Sequence, residues 1–257
     1  MVTHLVSHTR IPHNVRQLTA PVWRSSGRDA RPFYLYRQPQ QAHAMTTDSL
    51  TPEAVQVMLD TMASMQEAHN LHVHPDWRTQ RYEYYRAIWV ECAEMLDHYG
   101  WKWWKKQDAD IDQVKLELVD IWHFGLSDLL RAQTLDASVG QTLAGISAVA
   151  EPDPERFRQA IEALALNTLQ NQAFALAPFA AAMGSLPMDY EELFSMYVGK
   201  NVLNNFRQDH GYKQGTYQKV WHGREDNEHL IDVMNEQPLG EDLPQRLYAA
   251  LQARYPG

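Results

Sequence analysis

Ile88-Trp-Val-Glu91-Cys92-Ala-Glu94-Met95-Leu96-Asp-His-Tyr99-Gly100 and Val114-Lys-Leu-Glu117-Leu118-Val-Asp120-Ile121-Trp122-His-Phe124 are the two stretches that decide the fold. In the first, Tyr85, Ile88, Trp89, Cys92, Met95, Leu96 and Tyr99 recur at helical spacing, and Gly100 supplies a stop. The stripe predicts a helix from about Thr79 to His98. In the second, Val114, Leu118, Ile121, Trp122 and Leu129 make an apolar face. Asp110 and Gln113 open that helix at capping-box spacing, and it is expected to run to about Leu135. Acids interrupt both faces. Glu91 and Glu94 lie three apart, as do Glu117 and Asp120, so each pair shares one side of its helix, a turn apart.

Where those acids point matters more than their number. Glu91 borders its stripe through Ile88 and Met95, Glu117 through Val114 and Ile121, and Asp120 through Phe124. Burying uncompensated carboxylates against such neighbours costs several kcal/mol each. Four of them across a helix pair would also repel one another. A hard divalent cation resolves both problems, because Mg²⁺ takes oxygen ligands and shares them with phosphate. The competing reading is ordinary helix-surface acids engaged in ion pairs.

Outward from this pair, the rest also reads as helix. Thr51-Pro52-Glu53 is an N-terminal signal for a first helix carrying Val55, Met58, Leu59, Met62 and Met65. Asp153-Pro154-Glu155 opens a fourth, expected to end at Gly184 with a kink at Pro178. A fifth spans 189–209 and is closed by Gly211; a short one lies near 242–254. No strand-like alternation competes. The expectation is an all-α helical bundle.

Lys200, Asn204 and Arg207 fall at i, i+4 and i+7 of the fifth helix, one continuous face. Such a stripe can grip phosphate, arginine by a fork and lysine as a point charge; a solvated helix face is the alternative. Gln66 and Asn70, four apart on the first helix, suit the reading of a base edge. Trp103 is the candidate aromatic at base or sugar, with Trp101 and Trp104 left to packing.

The net charge of −9 argues against broad nucleic-acid or anionic-membrane binding. No run of eighteen apolar residues suggests a membrane span, and one cysteine, Cys92, allows no intrachain disulfide. These features fit a cytoplasmic protein. Residues 1–45 stand apart, with six arginines, no lysine and Asp29 as the single acid. A disordered basic arm, a true start at Met45 and a transit peptide all fit this stretch; the catalytic domain is expected over 46–257. His69, His72 and His74 are irregularly spaced and read as loop histidines. No phosphate loop or nucleophile elbow occurs, which leaves metal-activated water as the economical nucleophile.

The run from Glu91 through Trp101-Lys-Trp103-Trp-Lys105 to Glu117-Leu-Val-Asp120 resembles the signature of the dimeric dUTPases. These belong to the all-α, MazG-like NTP pyrophosphatases. A second run is similar too: Lys200-Asn-Val-Leu-Asn204-Asn-Phe-Arg207, Tyr212, Lys219 and Arg224-Glu-Asp-Asn227. The resemblance implies that Glu91, Glu94, Glu117 and Asp120 hold two or more Mg²⁺ ions, and that Glu91 acts on the attacking water. It implies hydrolysis of dUTP, and of dUDP, to dUMP, by a homodimer, with attack at the β-phosphorus. Carried over, Lys200, Arg207 and Lys219 contact phosphate, while Asn204, Tyr212 and Asn227 surround the nucleotide.

Two departures stand out. The family's Leu-Gln-Gln-x-Leu-Asn pattern reads Met65-Gln66-Glu67-Ala-His69-Asn70 here, so Glu67 replaces a glutamine and bears on base preference. His222 stands where a small amide is expected. The rivals are a dCTP/dUTP pyrophosphatase of broader base preference and a catalytically silent helical nucleotide-binding protein.

Overall fold

In a computed structural model, which describes residues 50–237 and 242–257, the chain is built almost wholly of helix. The arginine-rich stretch 1–45 and the readings attached to it lie outside the described residues. The elements are α1 (Pro52–Val73), a 3₁₀ turn (Trp77–Thr79), α2 (Tyr84–Tyr99), α3 (Ile111–Ala132), α4 (Ala137–Ala144), α5 (Pro154–Asn171), α6 (Leu176–Met183), α7 (Tyr190–Asp209), β1 (Val220–Trp221), β2 (Arg224–Glu225), α8 (Asp226–Glu236) and α9 (Leu243–Arg254).

The α2–α3 hairpin is the spine. Tyr84, at the start of α2, meets Phe124 late in α3 with ring centroids 6.5 Å apart. His98, at the end of α2, accepts Asp110 N at its backbone oxygen at 3.0 Å. The two helices are therefore antiparallel. Ile88, Cys92 and Met95 of α2 and Val114, Leu118, Ile121 and Trp122 of α3 are buried, as their spacing predicts. Trp122 is the keystone. It stacks on Phe179 at 5.4 Å, meets Phe174 edge-on, and points Nε1 at Met62 Sδ at 3.3 Å. Truncating a tryptophan so enclosed costs about 3–5 kcal/mol. Helices α1 and α7 close the other side of α3, and α9 packs on α7 and α8.

Caps fall where the residue types put them. Thr51, Asp110, Asp153 and Asp189 each accept a backbone N–H of the first turn. Several expectations need correction. The fourth helix does not run to Gly184: it ends at Asn171, Gln172 takes a left-handed φ of 52°, and α6 follows. The break lets the Phe174 ring lie over Gly125, so close that a Cβ there would sit 2.4 Å from the ring. Asp128 compensates by accepting Phe174 N at 2.9 Å. Pro178 then falls in the first turn of α6, where its missing N–H costs nothing, and kinks no helix.

Helix α4 was not expected, and the third helix stops at Ala132 rather than Leu135. Asp136 caps α4 through Ser138 N, and Val139 and Leu143 bury against its neighbours. The segment after Gly211, for which the sequence spacing predicts no element, holds the β1–β2 hairpin and α8. His222 and Gly223 form its two-residue turn, both at positive φ (51° and 85°). That backbone suits an asparagine, which explains why a small amide is expected there.

Candidate active site

Each acidic pair reaches the same place from its own helix. Glu91, Glu117 and Asp120 offer oxygen atoms that all lie within 4.8 Å of one another. Glu94, one turn on from Glu91, is more exposed and stands outside that group. Its carboxyl still feels Glu117 and Lys219.

The electrostatics are those of an overfilled acid cluster. Burial, and then the charges of Asp120, Glu117 and Glu94, push Glu91 up to about 9. Burial raises Asp120 as well, although Lys200 opposes it. Burial also works to raise Glu117, but His98 Nε2, 3.4 Å from Oε1, and the Lys200 charge outweigh it and hold the group low.

Lys200 joins this cluster to α7. Its ammonium, on a residue 1% exposed, lies 2.8 Å from Asp120 Oδ2 and donates to Asn227 Oδ1 at 2.8 Å. One face of α7 continues through Asn204 to Arg207. The Arg207 fork is gripped from behind: Nε and Nη2 reach the two oxygens of Asp226, each at 2.8 Å. Further N–H groups go to Asn204 Oδ1 and Asn227 Oδ1, both at 3.2 Å.

Asp226, fully buried, also accepts from Tyr217 Oη at 2.8 Å. Sequence reasoning missed it, although its place beside Asn227 in Glu225-Asp226-Asn227 was the available signal. Lys219, on the strand side of the hairpin, pairs with Glu225 at 3.0 Å and remains half exposed.

A cavity of about 330 Å³ opens against the acids. Glu91, Asp120, Asn204, Arg207 and Tyr212 line it, and so do Gln66 and Asn70 of α1. Along one face of α3 the lining runs from Asp120 through His123 and Phe124 to Ser127, about 10 Å at helical rise. The far wall is a closed polar network. Gln66 Nε2 donates to Asn70 Oδ1 (3.2 Å) and Ser127 Oγ (2.9 Å). Its Oε1 meets Tyr197 Oη (2.9 Å) and His123 Nδ1 (2.7 Å). Every hydrogen-bonding position of Gln66 is thus engaged within the protein.

Asn70 spends one N–H on Ser127 Oγ at 3.0 Å and keeps the other. His123 is buried with Nε2 lacking a hydrogen-bond partner among the described residues, and burial drives its pKa well below the ordinary value. His123, Phe124 and Ser127 were also missed; their signal was the i+3, i+4 and i+7 positions after Asp120.

Such a cavity, acids at one end and hydrogen-bonding amides at the other, has the size of a small-molecule site. A model of the dUTPase family matches residues 58–212, more than half of the chain. The chain belongs to the all-α dUTPase family. It is an enzyme of that kind, a dUTP diphosphatase acting on a nucleotide. No curated protein matches it. The matched span takes in most of α1, the carboxylate hairpin and α7, and it stops at Tyr212. Lys219 and Asn227 of this dUTPase lie beyond it.

Two remaining residues are placed as follows. Trp103 is 90% exposed, edge-on to Trp104 at 5.4 Å, and does not line the cavity. Glu67 does not line it either. Its carboxylate accepts both Nη atoms of Arg78, at 2.7 and 2.6 Å, and Trp77 Nε1 at 3.3 Å, anchoring the 3₁₀ turn. The histidines of the 69–74 stretch have separate tasks. His69 pairs with Asn205, and His74 Nδ1 accepts Asp76 N.

Proposed function

We propose that this dUTPase hydrolyses dUTP to dUMP and pyrophosphate, and dUDP to dUMP and phosphate, with Mg²⁺ that Glu91, Glu117 and Asp120 would hold and that Glu94, one turn along α2, would join them in binding. The observation that carries the reading is a cavity with Glu91 and Asp120 of the acid cluster at one end and the Gln66–Asn70–His123–Ser127 wall at the other. The donor set is all oxygen and bears more negative charge than its surroundings neutralise, which fits a hard divalent cation. When bound, that cation supplies charge neutralisation for the triphosphate and lowers the proton affinity of an attacking water.

This chain's own groups do the rest. Glu91, once deprotonated, accepts the proton of the attacking water at a carboxylate oxygen. Arg207, clamped by Asp226, presents its remaining N–H to phosphate without having to be ordered on binding. Lys200 holds Asp120 and Asn227 in place and keeps the acid end from over-repelling. Lys219, at the hairpin, adds a further positive charge for the phosphates, and Asn204 and Tyr212 line the cavity beside Arg207. Trp103 reaches the nucleoside only if its loop folds inward on binding.

At the far wall, uracil presents O4, N3–H and O2. Asn70 offers its unspent N–H to a carbonyl, and the orphaned Nε2 of His123 accepts N3–H. Gln66, fully engaged, fixes both partners in those orientations. Phe124 supplies the flat face beside the ring. Cytosine, with an acceptor at N3, meets His123 lone pair to lone pair. Glu67 is spent on Arg78, so base preference rests with the wall rather than with that departure.

A homodimer and a cytoplasmic setting complete the proposal. Family membership supports the first, and exposed Trp89 and Val90 on α2 offer apolar area for a second copy to cover. No described helix is long and apolar enough to cross a membrane. The test is turnover of dUTP, dUDP, dCTP and dTTP with and without Mg²⁺. The expected result is Mg²⁺-dependent hydrolysis of the two uracil nucleotides above dCTP. Equal turnover of dCTP would refute the base reading.

A further inference from the structure

His69 lines the cavity and has no part in the steps above. It stands on α1 three residues after Gln66 and one before Asn70. Its partner lies across the cavity rim on α7: Nδ1 is 3.1 Å from Asn205 Oδ1. Asn205 is oriented in turn, because its Nδ2 donates to Asn201 Oδ1 at 3.1 Å, leaving Oδ1 to face the imidazole. An amide oxygen only accepts, so the ring proton sits on Nδ1 and Nε2 carries a lone pair. Burial lowers the pKa of this ring, which is therefore neutral at neutral pH. The described residues give Nε2 no hydrogen-bond partner.

The position of this acceptor identifies what it meets. Asn205, its anchor, is the neighbour of Asn204 in the basic stripe, while Gln66 and Asn70 belong to the base wall. His69 thus bridges α1, which carries the base wall, and α7, which carries the basic stripe, and it lines the cavity they share. The part of a nucleoside triphosphate between its base and its phosphates is the sugar. A 2′-deoxyribose esterified at its 5′-oxygen has one donor left, the 3′-hydroxyl.

We infer that His69 Nε2 accepts a hydrogen bond from the 3′-hydroxyl of the deoxyribose, making His69 a specificity-determining residue for the sugar. The inference rests on the nucleotide orientation proposed above. It makes no use of the acids and involves no proton transfer. A leucine, which the family pattern carries at this position, could not make the bond.

The experiment compares dUTP with its 2′,3′-dideoxy analogue under saturating Mg²⁺, in the wild type and in two variants. The wild type should favour dUTP in kcat/KM by about tenfold, the worth of one hydrogen bond, expressed mainly in KM. His69→Leu should compress that ratio to below about twofold while leaving turnover of the dideoxy substrate nearly unchanged. Asn205→Ala keeps the imidazole but frees it to rotate, and should bring the ratio to about threefold.

A wild-type ratio near one, a ratio retained in both variants, or equal losses on both substrates would overturn the proposal. The last result would mark His69 as mere packing. If His69→Leu does not fold, the Asn205→Ala ratio decides. A dCTP control separates the two claims: absence of a dUTP preference breaks the base-wall reading, while the sugar ratio still judges His69.

Discussion

The two ends of the carboxylate–phosphate region are built on opposite principles. On the α2–α3 side, three carboxylates crowd within 4.8 Å with Lys200 as their nearby cation and His98 beside Glu117, and Glu91 is forced up to about 9. On the α7–α8 side each cation already has its acid: Arg207 has Asp226 and Lys219 has Glu225. The first end is short of positive charge and is completed by what binds. The second is complete in itself and serves as a rigid template. Preorganisation of this kind puts the ordering cost into folding rather than into the reaction.

The largest effect should come from the incomplete end. Glu91→Gln keeps the shape and removes the proton acceptor, so kcat should fall by about 10²–10⁴ while dUTP still binds. Steady-state kinetics beside equilibrium binding would show it, and near-normal turnover would remove Glu91 as the base. Next comes the link between the ends. Lys200→Met leaves the partly buried Asp120 without its partner, which should destabilise the fold by about 1–3 kcal/mol, with Mg²⁺ recovering part of it. Thermal melts with and without the ion measure both quantities. An unchanged melting temperature would show that the Asp120–Lys200 pair contributes nothing to stability.

The complete end predicts a pH signature. Burial works to raise the Asp226 carboxyl, but the Arg207 fork outweighs it and holds the group below its usual 3.8. Its contribution is therefore fully present above that value and lost as pH falls through the depressed folded value. Asp226→Asn should lower stability near neutrality and flatten the acid limb of a melting-temperature profile. An acid limb as steep as the wild type's would contradict the clamp. The smallest effect is expected at Glu67→Gln, which leaves the cavity wall untouched. The dUTP-to-dCTP ratio should change by less than about twofold, and a larger change would bring Glu67 back into base selection.

How far this contrast was legible from sequence follows from the range of the interactions. The acid pairs and the Lys200–Arg207 stripe are helical periodicities, local and readable, and the α2, α3 and α7 cores followed from the same spacing. Asp226 is not local: it becomes an arginine clamp only when a two-residue hairpin turn brings α8 beside α7. The His123–Gln66 contact joins helices 57 residues apart. The break before Phe174 arises because Gly125 leaves room for a ring, a tertiary fact that overrides an unbroken helical pattern. Glu67 looked ambiguous because its partner, Arg78, lies beyond the end of its own helix.

The central claim is that the acid cluster is held short of a cation. Calorimetric titration of Mg²⁺ into the enzyme near pH 7, in two buffers of different ionisation enthalpy, tests it most directly. Because Glu91 is raised from its usual 4.5 to about 9 without metal, binding should release close to one proton. The apparent affinity should strengthen as pH rises toward 9, and Glu91→Gln should abolish the release. Mg²⁺ binding with no proton released, or release that persists in Glu91→Gln, would contradict the account.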